Sequence, residues 1–559
     1  MGLEEDIKKF ALANAYEHNG KANEKAVLGK LLGEDPNLRS KITSIMFAIQ
    51  SIVRNINAMP QEAQIETLKK VWPEFFKPRE KIIEKKDARD LPGAITNQVI
   101  LRAAPNPNGP LHIGHARVVA LNKLYQDKYK GKFILRFDDT DPKVKVPMKE
   151  AYDWIKDDVE WLGANIWKIS HASSRLNRYY EVATELVNKN YAYVCTCNAE
   201  IWRDLAKNKK ACPCRNLELK EQKNRWQKML DSNKGKGYKE GEAVLRLKTD
   251  IQHNNPAMRD FPLMRIVDKP KHPFSNNHLW PLLNFAGPVD DHDLGVTHII
   301  RGKDLDMVAN RAEFLYRYMN WTHPYTQTMG ILKFEDLQLS ASKMRAAIEE
   351  KKYAGWDDVR LPTLKALRRR GFLPEAIIEF YKELGLKKAD ITVSIHNLDA
   401  INRKMLDPIS PRFAFVPNPK KIKIEKAPAI KELKVKIHPE KPETRTIKLN
   451  TEFYIDKDDF TKLGGKEVRL KDLYNIKLGK KVSFTSKEVR GGIAKIQWVQ
   501  APGAIKTEVL MPNGAIVKGL VEKDASKLKV GDCVQFERFG FCRLDKKSKT
   551  NMVFAYTHS

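Results

Sequence analysis

Two histidines mark the part of the chain whose side chains could do chemistry. His112 and His115 lie in Leu111-His-Ile-Gly-His115, directly after a loop rich in Pro, Asn and Gly. At the beginning of a helix, residues three apart share a face that meets unpaired backbone N–H groups and the positive end of the helix dipole. Two imidazoles there can donate hydrogen bonds to a polyphosphate, and Gly114 leaves room for a flat base. The alternative is two ordinary surface histidines.

The elements around the histidines favour a nucleotide site. An apolar run at 99–101 precedes the loop, and a helical pattern follows it to Gly131, a candidate C-cap. A second apolar run, 132–137, ends in the acidic stretch 138–141. Strand, helix and strand in this order form a βαβ unit of a parallel sheet, whose ligands bind at the carboxyl ends of the strands. Both polar clusters are therefore expected at one edge.

Composition limits the class of protein. A length of 559 residues suggests three to four domains of about 150 residues each. Lysine and arginine number 100 against 70 acidic residues, a net charge of +30 that suits a polyanionic partner, although it would also fit a merely basic protein. No apolar run approaches the roughly 18 residues of a membrane span, and the acidic start does not resemble a secretory signal. Six cysteines do not suggest a disulfide framework, so a cytoplasmic protein is expected.

Two stretches of the chain carry a family resemblance. They are Pro105-Asn-Pro-Asn-Gly-Pro-Leu-His-Ile-Gly-His-Ala-Arg117 and Arg136-Phe-Asp-Asp-Thr-Asp-Pro142. Together they resemble class I aminoacyl-tRNA synthetases of the glutamyl/glutaminyl group in their archaeal form. The resemblance implies a multidomain α/β enzyme with a Rossmann-like parallel-sheet core that activates L-glutamate with ATP and Mg²⁺ and transfers it to the 3′ end of tRNA(Glu). Whether tRNA(Gln) is a second partner is left open.

The resemblance also implies roles for individual residues. Those expected to contact ATP are Pro107, Gly109, His112, Gly114, His115 and Lys343. Those expected to hold glutamate are Arg102, Asp138 and Arg301. Two guanidinium groups at strand ends suit a side-chain carboxylate through bidentate bonds that a neutral amide could not match, and the Asp138 carboxylate suits the α-ammonium group. Asp139 and Asp141 are expected only to cap or form the loop.

Two stretches of the sequence depart from the family pattern. Gln338-Leu-Ser-Ala-Ser-Lys343 falls where class I enzymes carry a mobile Lys-Met-Ser-Lys-Ser loop, with Ala341 at the usual second lysine. We expect Ser342 and Lys343 to stabilise negative charge developing during adenylate formation, alongside His112 and His115 as catalytic residues. In the second departure, Leu283 and Asn284 replace the usual tyrosine and aspartate. These replacements make Arg102 and Arg301 the more trustworthy glutamate contacts.

Four of the cysteines cluster in sequence. Cys195-Thr-Cys197 and Cys212-Pro-Cys214 are two close pairs separated by fourteen residues. Four thiolates can supply a tetrahedral zinc site, and such a module is often inserted in synthetases of this group where it meets the tRNA acceptor end. Reduced buried cysteines and redox pairs remain alternatives, because one intervening residue is tighter than the usual two.

The chain divides into six expected regions, some assigned by pattern and some through the resemblance. They are a helical N-terminal extension (1–95), the first half of the catalytic domain (96–191), an inserted acceptor-end module (192–279), the second half of the catalytic domain (280–345), a helical stem-contact region (346–405) and a β-barrel anticodon-binding region (406–559). Alternating apolar and polar residues at 421–424, 433–437, 446–449 and 534–536 indicate the barrels. Residues expected to contact tRNA phosphates are Arg368, Arg369, Arg370 and Arg412.

Three other functions stay open. A glutamine-specific enzyme is the nearest, but Asp141 and Pro110 stand where such enzymes usually have Asn and Tyr. A non-catalytic tRNA-binding paralogue would not need intact His112, His115 and Lys343. A simpler adenylyltransferase would not need the basic insertion or the C-terminal barrels.

Overall fold

The computed structural model describes residues 3–18, 20–34, 38, 42–76 and 89–559. The chain divides into two compact units, Met1–Lys86 and Asp87–Ser559. Among the described residues, no helix is both long and apolar enough to cross a bilayer.

The first unit is helical, as the sequence predicts. Its helices are α1 (Leu3–Glu17), α2 (Glu24–Glu34), α3 (Ile42–Asn57) and α4 (Gln61–Val71). They enclose an apolar core, and the buried Gln64 amide donates hydrogen bonds to the carbonyls of Gly20, Ile56 and Met59. Residues 77–88 of the predicted 1–95 extension lie outside the described residues.

The second unit begins with the predicted βαβ arrangement. Its first elements are β1 (Ile100–Ala103), α5 (Ile113–Tyr129), β2 (Lys132–Phe137), α6 (Ala151–Trp161), β3 (Ile166–His171) and α7 (Leu176–Asn188). β1, β2 and β3 form a parallel sheet in that order. The predicted C-cap Gly131 is displaced by one residue, because Lys130 takes the left-handed conformation that ends α5.

An antiparallel sheet is inserted next. Its elements are β4 (Ala192–Cys195), α8 (Ala199–Lys207), α9 (Leu219–Leu230), β5 (Val244–Leu247), β6 (Pro262–Ile266) and β7 (Leu279–Pro281). The sheet order is β4-β5-β6-β7. β4 starts at the expected residue 192, whereas β7 extends two residues beyond the expected end of the module at 279.

The parallel sheet then continues. The elements are α10 (Leu283–Asp293), β8 (His298–Gly302), α11 (Asp306–Met319), β9 (Tyr325–Met329), β10 (Leu332–Phe334), α12 (Ala341–Glu349), α13 (Leu364–Arg370), α14 (Pro374–Leu384), β11 (Ile391–Val393) and α15 (Ile395–Leu406). β8 and β9 pair in parallel, and Thr297 N–H donates to the Ile100 carbonyl at 3.0 Å, so β8 lies beside β1. The ends of β1, β2 and β8 therefore meet at one edge.

Two seven-stranded, barrel-like sheets complete the unit. Their strands are β12 (Arg412–Phe413), β13 (Phe415–Pro417), β14 (Pro419–Glu425), β15 (Glu432–Lys436), β16 (Thr444–Lys448), β17 (Glu452–Asp456), β18 (Glu467–Leu470), β19 (Asn475–Lys477), β20 (Val482–Ser486), β21 (Ala494–Ile496), β22 (Trp498–Gln500), β23 (Ile505–Leu510), β24 (Ile516–Val521), β25 (Cys533–Phe536), β26 (Gly540–Lys547) and β27 (Asn551–His558), with α16 (Lys457–Lys462) after β17. One sheet runs β21-β18-β19-β20-β14-β17-β22, and the other runs β12-β25-β26-β27-β23-β24-β13. β15 and β16 form a separate hairpin. The predicted change to period-two structure is confirmed.

Candidate functional site

A cleft of about 730 Å³ opens where β1, β2 and β8 end and α5 begins. It is the position that the parallel-sheet argument predicts for a ligand. Of the residues expected to act there, the cleft brings together Arg102, His112, Gly114, His115, Asp138, Arg301 and Ser342. Residues far apart in the sequence, such as Arg102 and Arg301, thus line the same cleft.

The two histidines are stacked on one another at the beginning of α5. Their ring centroids lie 3.6 Å apart at an angle of 19°. His112 is the N-cap in extended conformation, and its Nδ1 accepts from His115 N–H at 3.3 Å. A Cβ on Gly114 would lie 2.9 Å from the end of the Leu339 side chain and 3.1 Å from the His112 ring, so any larger residue would have to displace these side chains. The predicted shared face is confirmed.

Both imidazoles are neutral at physiological pH. Burial, with a smaller effect from His115, lowers the pKa of His112 to about 2. The enclosing walls of the cleft and then the Lys145 ammonium lower the pKa of His115 to about 4, although its ring remains accessible within the cleft. The pair can therefore donate hydrogen bonds to a phosphate but cannot supply positive charge. Lys145 lines the cleft and is a cation that sequence reasoning missed, because no motif contains it.

The loop before the histidines presents alternate residues to the cleft. Pro107 and Gly109 are buried and do not line the cleft; the Pro107 carbonyl accepts from Met148 N–H, and a Cβ on Gly109 would lie 2.8 Å from the Trp356 ring. Asn106 and Asn108 line the cleft instead. The proposed ATP contact of Pro107 and Gly109 stays a prediction, and their evident role is to shape the loop.

Arg102 is already paired. Its Nε and Nη2 donate to the two carboxylate oxygens of Asp291 at 2.9 and 3.0 Å, and both side chains are buried. Burial alone would raise the pKa of Asp291, but Arg102, together with Arg301 and Arg136, holds it below its usual range. Asp291 was missed because its partner lies 189 positions away along the chain.

Arg301 presents the opposite case. It is 8% exposed, lines the cleft, and its guanidinium makes no hydrogen bond to any described residue. Burial, followed by the charge of Arg102, lowers its pKa to about 10, so it remains a cation at neutral pH. A buried cation without a hydrogen-bond acceptor is costly. The site is therefore prepared for an anionic group at Arg301.

The acidic cluster after β2 divides as predicted. Asp138 lines the cleft, and its carboxylate lies 3.4 Å from Arg136 Nη1. Asp139 is buried and accepts from Ser173 N–H and the Tyr152 and Ser173 hydroxyls, while Asp141 accepts from the backbone N–H groups of 143 and 144. Asp139 and Asp141 thus organise the loop, and only Asp138 faces the cleft.

The segment corresponding to the mobile loop is partly helical. Ser342 and Lys343 lie in the first turn of α12, and the N-cap Ser340 accepts from Lys343 N–H. Ser340, Ala341 and Ser342 line the cleft, whereas Lys343 is exposed and does not line it. A cation in the first turn of a helix opposes the dipole, so Lys343 gains from an anion placed at that end.

The four cysteines of the insertion come together. Their sulfur atoms all lie within 4.8 Å of one another, with Cys195 to Cys212 at 3.8 Å and Cys197 to Cys214 at 3.7 Å. A tetrahedron with Zn–S bonds of about 2.3 Å has edges of about 3.8 Å. The spacing between the sulfur atoms therefore fits a tetrahedral zinc ion, and the one-residue spacing within each pair is no obstacle.

Two of the four arginines expected to contact tRNA donate hydrogen bonds within the protein to strands of the barrel. Arg369 donates two hydrogen bonds to Asp545, and Arg370 donates to the carbonyls of Tyr556 and Thr557. They join α13 to the last strands of the barrel, which corrects the picture of an open basic face. Arg368 is exposed and pairs with the exposed Asp157.

Arg412, the fourth arginine expected to contact tRNA, is half-buried. Its Nη2 donates to Asp407 at 3.2 Å. A contact of Arg368 or Arg412 with tRNA stays a prediction.

Comparison with known proteins gives consistent results along the whole chain. Residues 98–408 match the family described as tRNA synthetases class I (E and Q), catalytic domain, and residues 410–497 and 495–545 match two anti-codon binding domains of the same group. Proteins named glutamate–tRNA ligase from Pyrococcus abyssi and Pyrococcus furiosus are 47% and 46% identical, with 100% of each chain covered. A glutamate-tRNA synthetase structure from Elizabethkingia anophelis is 20% identical with a TM-score of 0.41, covering 56% of this chain and 72% of that one.

The neutral histidines predict a pH dependence of stability. The pKa of His112 is lower in the folded than in the unfolded protein. Its contribution to the free energy of unfolding is therefore fully present above the unfolded pKa near 6.5 and is lost as pH falls below that value. His112→Asn keeps a capping acceptor but cannot titrate. Between pH 8 and pH 5, wild type should lose about 2 kcal/mol more stability than this variant. Thermal unfolding followed across that range checks it; parallel losses would contradict a neutral, buried His112.

Proposed function

The chain belongs to the class I tRNA synthetases of the glutamate and glutamine group, and we propose that it activates L-glutamate with ATP and transfers it to the 3′ end of tRNA(Glu). The observation that carries the choice of glutamate is Arg301, a buried cation in the cleft without a hydrogen-bond partner among the described residues. A side-chain carboxylate would satisfy it by charge-assisted bonds. A neutral amide would bring no negative charge, and only the nearby Asp291, already bonded to Arg102, would oppose the charge of Arg301.

The nucleotide is proposed to lie against the beginning of α5. His112 and His115, being neutral, donate hydrogen bonds to phosphate oxygens, while Lys145 supplies positive charge beside them. Ser342 lies at the N-terminus of α12, where the helix dipole attracts an anion, and Lys343 reaches the same end. Class I membership implies ATP and Mg²⁺; the metal neutralises charge on the leaving diphosphate.

Glutamate is proposed to lie between Asp138 and Arg301. The Asp138 carboxylate holds the α-ammonium group, and Arg301, supported by Arg102, holds the side-chain carboxylate. This leaves the α-carboxylate free to attack the α-phosphorus of ATP, forming the glutamyl adenylate and releasing diphosphate. A terminal ribose hydroxyl of tRNA then attacks the carbonyl carbon, loses its proton, and AMP leaves.

The remaining regions are proposed to serve tRNA. The barrel-like sheets match anticodon-binding domains, and a second cavity of about 450 Å³ beside them includes Gln497, Trp498 and Lys471 in its wall. This cavity has room for a flat base beside an indole ring. The insertion is proposed to meet the acceptor end with its fold held by zinc on the four cysteines. A cytoplasmic location is proposed as well, because the proposed reaction uses tRNA.

Glutamine as the substrate is the nearest alternative, and charging assays separate the two. We expect glutamate, offered with ATP and a tRNA(Glu) transcript, to be attached, and glutamine to be attached to neither tRNA. Glutamate on tRNA(Gln) as well would make the enzyme non-discriminating. Glutamine on tRNA(Gln) alone would overturn the assignment, and no charging would favour a non-catalytic tRNA-binding protein.

The role of Arg301 predicts a selective defect. Arg301→Gln should lower kcat/KM for glutamate by about 100-fold, since a charge-assisted bond contributes roughly 1.5–3 kcal/mol, while KM for ATP changes little. Arg311→Gln is the matched control, because Arg311 bonds the Ala257 carbonyl and does not line the cleft. Equal losses in the two variants would show that Arg301 acts only through stability.

The cysteine cluster predicts metal content. Purified protein should carry about one zinc ion per chain by elemental analysis, and Cys195→Ser should lose it together with resistance of the insertion to proteolysis. Cys533→Ser is the control, because Cys533 lies in the barrel outside the cluster. Metal-free protein with an intact insertion would instead favour reduced buried cysteines.

A further inference from the structure

Asp138 is held by a neighbour on its own chain segment. Arg136 lies two residues earlier, at the end of β2, and the alternation of a strand brings both side chains to the same face. Arg136 is 1% exposed, lines the cleft, and directs Nη1 towards Asp138 Oδ1 at 3.4 Å. The arginine is therefore part of the wall from which Asp138 projects.

A buried carboxylate fixes Arg136 in turn. Asp290 of α10 is fully buried and accepts from Arg136 Nε at 2.5 Å and from the Tyr179 hydroxyl at 2.7 Å. Its other oxygen accepts from Arg175 Nε at 2.6 Å. The order of contacts runs from Asp290 through Arg136 to Asp138. Arg175 also donates to Asp290, but it makes no hydrogen bond or ion pair with Asp138. A substitution of Arg175 therefore removes a partner of Asp290 without removing a partner of Asp138.

We propose that Arg136 is a positioning residue for glutamate, which keeps the Asp138 carboxylate ionised and oriented towards the α-ammonium group. The proposal rests on the proposed function, since it takes Asp138 as the ammonium site. It assigns Arg136 no direct contact with substrate. Without Arg136, Asp138 would stand in a low-dielectric wall with two other carboxylates near it.

The charges around Asp138 act in opposite directions. The pKa of Asp138 lies above its usual value, because burial raises it more than Arg136 lowers it and the carboxylates of Asp139 and Asp290 raise it further. Arg136 is the cation that opposes protonation there. Removal of that cation favours the neutral acid, which accepts an ammonium group poorly. The acid limb of kcat/KM for glutamate should therefore move to higher pH in Arg136→Gln.

A double-mutant cycle tests the proposal through Asp138. The variants are Arg136→Gln, Asp138→Asn and the two combined, assayed by ATP–diphosphate exchange with tRNA present. We expect kcat/KM for glutamate to fall about tenfold in the first and about 30- to 100-fold in the second, on the scale of lost charge-assisted bonds. The combined variant should match Asp138→Asn within about twofold, because coupled residues are not additive. KM for ATP should stay nearly constant.

A substrate analogue provides the second readout. Glutarate lacks the α-ammonium group, so its inhibition constant should be nearly the same in wild type and Arg136→Gln, while the preference for L-glutamate over glutarate falls. Arg136→Lys, which keeps the charge, should recover part of the preference. Arg175→Gln controls for loss of an Asp290 partner and should leave the preference and the acid limb unchanged.

The outcomes separate the proposal from its premise. Two results would overturn the proposal: additive losses in the double-mutant cycle, or a higher inhibition constant for glutarate in Arg136→Gln. Either result would indicate that Nη2 of Arg136, which has no hydrogen-bond partner among the described residues, binds substrate directly. Equal effects in Arg136→Gln and Arg175→Gln would reduce Arg136 to a structural residue. If wild type itself does not activate glutamate, the proposed function fails instead.

Discussion

Two consecutive aspartates on α10 bind arginines of two neighbouring strands, and the wall of the cleft formed by those strands depends on them. Asp290 accepts a hydrogen bond from Arg136 at the end of β2. The two carboxylate oxygens of Asp291 accept hydrogen bonds from Nε and Nη2 of Arg102 on β1. Buried guanidinium groups without such partners would carry a large desolvation cost. Because the aspartates adjoin one another in a helix, they fix the spacing between the two arginines. The pairs therefore make a rigid wall rather than add net stability.

At the beginning of α5, the wall of the cleft consists of neutral side chains and not of ion pairs. The imidazoles of His112 and His115 are kept neutral by enclosure and by nearby charge. In the proposed function they donate hydrogen bonds to phosphate, and their protonation state does not change with pH near neutrality. Positive charge comes from lysines in more exposed positions, Lys145 and Lys343. Because the two imidazoles are neutral and the positive charge lies on the lysines, the rings stack 3.6 Å apart without charge repulsion.

Local sequence patterns predicted the elements better than the contacts between them. The βαβ unit, the stacked histidines and the barrel strands follow from periodicity and turn residues that lie close together in the chain. Asp291 could not be assigned, since its partner Arg102 is 189 positions away. The intramolecular partners of Arg369 and Arg370 could not be assigned for the same reason, because Asp545 of β26 meets Arg369 only after the barrel has folded. Lys145 stands in a loop without a pattern.

The charges in the cleft explain how a carboxylate can be told from an amide of the same shape. Arg136 and Arg175 are balanced by Asp290 and Asp138, and Arg102 is balanced by Asp291. Arg301 makes no hydrogen bond or ion pair with any described residue, although the charge of Asp291 acts on it. A glutamate side chain would supply a negative charge, whereas a glutamine side chain would displace water and leave the cation unpaired. Under the proposed function, this difference in charge compensation favours the carboxylate over the amide, and it does not depend on the tyrosine that Leu283 replaces.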